Sequence, residues 1–203
     1  MRFKVNFFIS ILFLSSICLA NTKPNKIVFI GDSLTEGYGV PAEKAFPSLI
    51  ENQLKKKYKN LKIVNAGSSG STSASAVKRV KWLIKSKPTI IFIALGANDG
   101  LRGLDLKQTE QNLQDSIKLA LNQKIKVILA GVRLPLNYGK TYRSQFEGLY
   151  KKLAKNNSIT FIPYLLKGVG GVKKLNQPDQ IHPNEAGHQE IFKTVLPYIE
   201  KLL

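Results

Sequence analysis

Two hydrophobic rhythms alternate along this chain. Short unbroken apolar runs occur at KIVFIGD (26–32), LKIVNAG (61–67), TIIFIALG (89–96), KVILAGV (126–132) and ITFIPYL (159–165). They are rich in β-branched residues, and an unbroken run suits a strand covered on both faces. Between the runs, apolar residues recur at three- and four-residue spacing with lysines on the other side, the pattern of an amphipathic helix. FPSLIENQLKKKYK (46–59) places Leu49, Ile50 and Leu54 in this way, and SASAVKRVKWLIKSK (73–87) carries Val77, Val80, Trp82, Leu83 and Ile84. DLKQTEQNLQDSIKLALNQ (105–123), YRSQFEGLYKKLAKNN (142–157) and EAGHQEIFKTVLPYIEKLL (185–203) follow, the last with a bend expected at Pro197. Strand and helix in strict alternation predict an α/β fold: three layers, with about five parallel strands between two layers of helices. No repeat, linker or low-complexity segment interrupts the order, so residues 21–203 are expected to form a single domain.

The first twenty residues follow a different logic. MRFKVNFFISILFLSSICLA has a short basic start (Arg2, Lys4), an apolar centre from about Phe7 to Ile17, and small residues ending at Ala20. That is the form of a signal peptide, and its apolar part is short for a membrane span. Cleavage near Ala20 and a periplasmic or secreted destination are the expectation; lipid attachment at Cys18 fits poorly with bulky Ile17 before it. Cys18 is the chain's only cysteine, so the mature protein would enter an oxidising compartment without disulfides or thiol chemistry. No metal site is expected, because His182 and His188 are the only imidazoles and nothing else supplies nitrogen or sulfur ligands in a metal-binding pattern.

Charge changes the picture further. Lysine and arginine total 31 against 13 acidic residues. Without Arg2 and Lys4 there remain 29 basic against 13 acidic residues, a balance of +16. One reading is attraction to anionic partners such as envelope lipid. The other is a solvated coat of lysines scattered along helices, which the spacing favours. No segment interleaves basic clusters with aromatics as a nucleic-acid module does, so nucleic acid is not an expected partner, and a monomer is.

In an open parallel sheet the functional site lies in the loops beyond the carboxyl ends of the strands. Here those loops read GDSLTEGYG, NAGSSGST, GANDGLRG, RLPLNYG and NQPDQIHPN. Together they offer Ser33, Gly70, Asn98, Asp179 and His182. Acyl transfer needs a nucleophile, a base, a group that orients the base, and donors for an oxyanion. Ser33 directly after the first strand can be held rigidly. A backbone N–H beside it, the N–H of Gly70 and the Asn98 amide could converge on a developing negative oxygen. His182, extended by Pro183 after it, supplies a base, and Asp179 three residues earlier can hold its tautomer. Asp32 and Asp99 read as hydrogen-bonding scaffold, and His188, inside the last helix, as an exposed or packing residue.

At these residues the chain resembles the SGNH, or GDSL-type, hydrolases. Four blocks match in order: GDSLTEGYG with Ser33, NAGSSGST with Gly70, LGANDGLRG with Asn98, and DQIHPN with Asp179 and His182. The match spans nearly the whole mature chain. GANDGLRG followed by TEQNL, and RLPLNYGKTY, are similar to the acyl-CoA thioesterase I, lysophospholipase and arylesterase subgroup. The resemblance implies a flavodoxin-like SGNH hydrolase fold, no cofactor, and hydrolysis of carboxylic esters and thioesters through an acyl-enzyme. Ser33 would be the nucleophile, His182 the base and Asp179 its partner, with Ser33, Gly70 and Asn98 forming the oxyanion hole.

The substrate pocket is read from the loops flanking that machinery. Leu101 and Arg102 follow Asn98, while Arg133, Leu134, Pro135 and Tyr138 follow the fourth strand. Subgroup resemblance makes them a groove with a mobile lip for an acyl chain; as plain residues they are ordinary surface loops. The segment LLKGVGGVKKLNQPDQ departs from the subgroup in its lack of apolar bulk, so a long acyl chain would be gripped differently. A carbohydrate O-acetyl esterase would use the same blocks with a polar, shallow pocket. A flavodoxin-like mononucleotide binder is the alternative of another class, but Glu36 in SLTEGYG would repel phosphate. GYGVPA lacks the third glycine of a dinucleotide fingerprint, and GVGG lacks the Lys-Ser/Thr of a phosphate loop.

Overall fold

The computed structural model describes residues 26–203. The predicted leader, its cleavage point and Cys18 lie outside the described residues. Five strands form one sheet: β1 Lys26–Gly31, β2 Lys62–Gly67, β3 Ile90–Ala94, β4 Lys126–Ala130 and β5 Thr160–Ile162. Their order is β2-β1-β3-β4-β5, and every neighbouring pair is parallel. The expected α/β architecture is thus the observed one, with the flavodoxin-like strand order. β1 and β3 are buried almost throughout, which is why their sequences are unbroken apolar runs. β2 is an edge strand with a half-exposed pattern. β5 is shorter than predicted, because Pro163 has no N–H to extend the ladder.

The helices are α1 Ser33–Glu36, α2 Phe46–Lys55, α3 Ala76–Leu83, α4 Ala97–Leu101, α5 Leu106–Asn122, α6 Lys140–Asn157 and α7 Glu185–Glu200. α3 packs on α5 and α5 on α6, while α2 packs on α7, which places three helices on one face of the sheet and two on the other. The reversal follows from right-handed crossovers: the chain steps left from β1 to β2 and right thereafter. α7 runs through Pro197 to Glu200. The sequence places Ser33 at the start of a helix or turn, and α1 is that helix; α4 lies where the sequence pattern shows only a loop, and each begins soon after a strand and holds site residues.

Two apolar positions of the second helix depart from expectation, Val77 at 36% exposed and Trp82 further still. Trp82 counts toward the second helix's apolar set, yet it is 69% exposed. The buried stripe of α3 is Ala76, Val80 and Leu83, at helical spacing. Trp82, two residues past Val80, lies about 200° round the helix from it and faces solvent.

Candidate active site

The residues that the sequence singles out come from four loops at the carboxyl edge of the sheet. Strand β1 ends at Gly31, and Asp32 caps α1 by accepting from the Leu34 N–H at 3.0 Å. Ser33 is the first residue of α1, so it lies at the switch point between β1 and β3 with its N–H outside the helix's own hydrogen bonds. Burial lifts the Asp32 carboxyl to about 6, against the opposing pull of the Leu34 N–H, His182 and Arg79. The Arg79 guanidinium donates to Gly31 O at 2.9 Å and also to Ala66 O, tying the ends of β1 and β2 together beneath the serine.

His182 arrives from 149 residues away. Its Nε2 lies 3.0 Å from Ser33 Oγ, and its Nδ1 lies 2.6 Å from Asp179 Oδ2. A carboxylate at Nδ1 requires that nitrogen to donate, which leaves Nε2 as the acceptor for the serine hydroxyl. Asp179 Oδ1 accepts from the N–H groups of Ile181 at 2.9 Å and His182 at 3.0 Å. Those bonds, first of all the His182 N–H, hold its carboxyl down at about 2. The loop is closed by Gln177 N–H donating to His182 O at 2.7 Å. Gln177 Nε2 reaches across to Tyr38 O at 2.7 Å, joining the histidine loop to the segment after α1. The Tyr38 ring leans on the imidazole with centroids 4.8 Å apart.

Among the described residues three N–H groups have no protein acceptor: those of Ser33 and Gly70, and the second hydrogen of Asn98 Nδ2. The first Asn98 Nδ2 hydrogen goes to Ser71 O at 3.0 Å. Gly70 adopts a φ of +74°, a conformation that favours glycine. Arg102, expected in the substrate groove, is instead turned to this loop. Its Nη2 donates to Gly70 O at 3.2 Å and approaches Asn98 Oδ1 at 3.4 Å. Asp99 is scaffold as expected, accepting from Ser73 N at 2.8 Å, Ser73 Oγ at 2.5 Å and Thr109 Oγ1 at 3.2 Å. His188 resolves to the packing alternative: it is 1% exposed, stacks on Phe46 and accepts the Phe46 N–H at 3.3 Å.

Ser33 and His182 open onto a cleft of about 910 Å³, within the range of small-ligand sites. Leu101, Arg133, Leu134, Pro135 and Tyr138 line it as expected, and Leu34, Val132 and Leu166 add apolar wall. Tyr138 OH donates to Leu101 O at 2.8 Å, fastening the two flanking loops together. Tyr164, Arg143, Gln180 and Ile181 line the cleft as well without having been read from sequence. For Gln180 and Ile181 the signal was available, since they sit between the two named residues of DQIHPN. Gly170 and Gly171 form part of the wall, where the glycine-rich segment had promised little apolar bulk.

A parallel five-stranded sheet with a serine, an imidazole and a carboxylate hydrogen-bonded in line at its carboxyl edge defines the class of serine hydrolases that work by acyl transfer. The chain belongs to the GDSL-like Lipase/Acylhydrolase family, whose profile matches residues 29–190. It is 35% identical to the protein named Esterase TesA of Pseudomonas aeruginosa over 178 residues, 87% of this chain and 89% of that one. It is 34% identical to Thioesterase 1/protease 1/lysophospholipase L1 of Escherichia coli over 174 residues, 85% and 82% of the two chains. A crystal structure of a protein named TesA superposes with a TM-score of 0.85 at 34% identity, covering 88% of this chain and all of that one.

Proposed function

We propose that this hydrolase cleaves carboxylic esters and thioesters through an acyl-enzyme on Ser33, outside the cytoplasm. The observation that carries the reading is the hydrogen-bonded line from Ser33 Oγ through His182 to Asp179, at 3.0 and 2.6 Å, at the head of a largely apolar cleft. As Ser33 Oγ attacks the substrate carbonyl, its proton passes to His182 Nε2, and Asp179 steadies the imidazolium. The former carbonyl oxygen takes on negative charge and is met by the N–H groups of Ser33 and Gly70 and by Asn98 Nδ2. Each such donor is worth about 3–4 kcal/mol of barrier. The imidazolium then protonates the departing alcohol or thiol. Water, deprotonated by His182, releases the acid and restores Ser33. Every group the sequence of steps requires belongs to this chain.

The names of the two relatives support ester and thioester substrates, and the leader-like residues 1–20 support export to the periplasm or beyond. The small-molecule ester is the partner this site requires, and the enzyme is read as a monomer. A sugar O-acetyl esterase would need a polar, shallow pocket; the leucines and valine along this cleft favour an acyl chain. Hydrophobic walls discriminate by only about 1–3 kcal/mol per methylene, so a broad chain-length range is expected. The test is a series of p-nitrophenyl esters of increasing chain length set beside an acetylated sugar, on purified enzyme. Higher kcat/KM on esters longer than acetate is the expected outcome; faster release of acetate from the sugar overturns the choice. A Ser33→Ala protein that stays folded yet hydrolyses either substrate overturns the mechanism.

A further inference from the structure

The lysines that looked scattered along the helices are sorted by the fold. The strands run toward the active site and the helices run back, so the α-to-β connections gather at the opposite pole. Lys55 ends α2, the connection after it holds Lys56, Lys57 and Lys59, and Lys62 opens β2. The connection after α3 adds Lys85 and Lys87, the one after α5 adds Lys124, and Lys126 opens β4. All nine are exposed. Lys26 and Lys62 are direct partners across β1 and β2, a like-charge pair that disfavours the sheet. The acidic side chains at this pole are Glu51 and Glu200. Among the described residues, Lys55 alone of the ten has a carboxylate within 4.0 Å, Glu51 at 2.8 Å. A cation at a helix C-terminus is ordinary, but that accounts for one per helix, not for four lysines in the five residues from the end of α2 onward. The site's pole differs: Asp32, Glu36, Asp99, Asp105, Asp179 and Glu185 all stand there beside its basic residues.

Trp82 belongs to the same pole. It sits in the last turn of α3, 69% exposed, between Lys81 and the lysines at 85 and 87. An exposed indole set among lysines suits the boundary between water and a bilayer, where the ring enters the headgroup layer and the ammonium groups meet phosphates. We propose that the pole opposite the active site docks on an anionic phospholipid surface through this lysine face, with Trp82 as its anchor. The cleft then opens away from the bilayer, so the docked enzyme takes its ester from the aqueous side.

Trp82 is the chain's only tryptophan, and its emission reports the contact directly. Protein purified after expression of the full chain is mixed with vesicles of phosphatidylcholine, with and without phosphatidylglycerol, at low and high salt. Binding is expected only to the anionic vesicles, weakening with salt, with Trp82 emission shifting to the blue and quenched by brominated lipid. Lys57→Glu with Lys59→Glu should weaken vesicle partitioning by about tenfold or more, and Trp82→Ala should weaken it too. Lys173→Glu with Lys174→Glu, on the site's pole, should not, and hydrolysis of a soluble short-chain ester should be the same in all the variants. The proposal is overturned if anionic lipid makes no difference, if the two lysine pairs weaken binding equally, or if Trp82 emission stays unmoved in bound protein. Tighter binding of duplex DNA than of vesicles through the same lysines would also overturn it, in favour of a nucleic-acid partner.

Discussion

At the level of single residues, the proposed mechanism has Asp179 and His182 divide the work of one proton. Asp179 Oδ1 is occupied by two backbone N–H groups and Oδ2 by the imidazole, so the carboxylate both shapes its own loop and selects the Nδ1–H tautomer. His182→Ala removes the acceptor for the serine proton altogether. Asp179→Asn leaves an acceptor oxygen for the loop and an imidazole that can still reach the working tautomer part of the time. In triads of this kind, loss of the acid costs roughly a hundredfold less in kcat than loss of the base. We therefore expect kcat to fall in the order His182→Ala below Asp179→Asn, with KM little changed in either. Equal losses in steady-state kinetics on one ester would refute this division of roles.

The next scale is the junction between α1 and the loop after β2. Gly67 ends β2 so close to α1 that a Cβ there would stand 2.1 Å from Glu36 N. Asn65 Nδ2 donates to Thr35 O at 2.9 Å, and the Glu36 carboxylate accepts from Ser69 N at 2.6 Å and from Ser69 Oγ. The helix that presents Ser33 and the loop that presents Gly70 are thereby one unit. Gly67→Ala must push them apart, since the obstruction is backbone and cannot swing aside. The expected cost is about 1–3 kcal/mol of stability together with a fall in kcat larger than any rise in KM, measured by urea unfolding and steady-state kinetics. A variant that loses stability but keeps kcat would show that Gly70's position does not depend on this junction. This junction also marks the limit of what the sequence makes legible. β1, β3 and β4 announce themselves because burial on both faces demands unbroken apolar runs, and the four motif blocks locate the loops. Which way Arg102 turns, or that Gln177 bridges to Tyr38, depends on how separate loops meet, and no local pattern encodes that. Val77 and Trp82 mark a related limit: an apolar side chain implies burial only if the helix's rotation puts it on the packed face.

Over the whole molecule, two buried titrating groups act on stability with opposite sign. Burial raises Asp32 to about 6, whereas an unfolded aspartate titrates near 3.9. Between those values the folded chain holds a proton the unfolded chain has released, so stability declines as pH rises from about 4 to 6, by roughly 3 kcal/mol. Burial lowers His188 to about 4 from 6.5. In that window the unfolded chain takes the proton and the folded one refuses it, so stability declines as pH falls from about 6.5 to 4, again by roughly 3 kcal/mol. Asp179 titrates below both windows. The two slopes oppose each other over nearly the same range, and the wild-type unfolding midpoint should be flat there. Substituting either group exposes the other. His188→Asn, whose side-chain oxygen can still accept the Phe46 N–H, should become less stable from pH 4.5 to 6.5. Asp32→Asn, which keeps an oxygen for the Leu34 N–H, should become more stable across the same interval. Urea midpoints of the three proteins at four pH values measure this directly, and parallel curves for all three would mean that the charges of Asp32 and His188 are not what the fold resists.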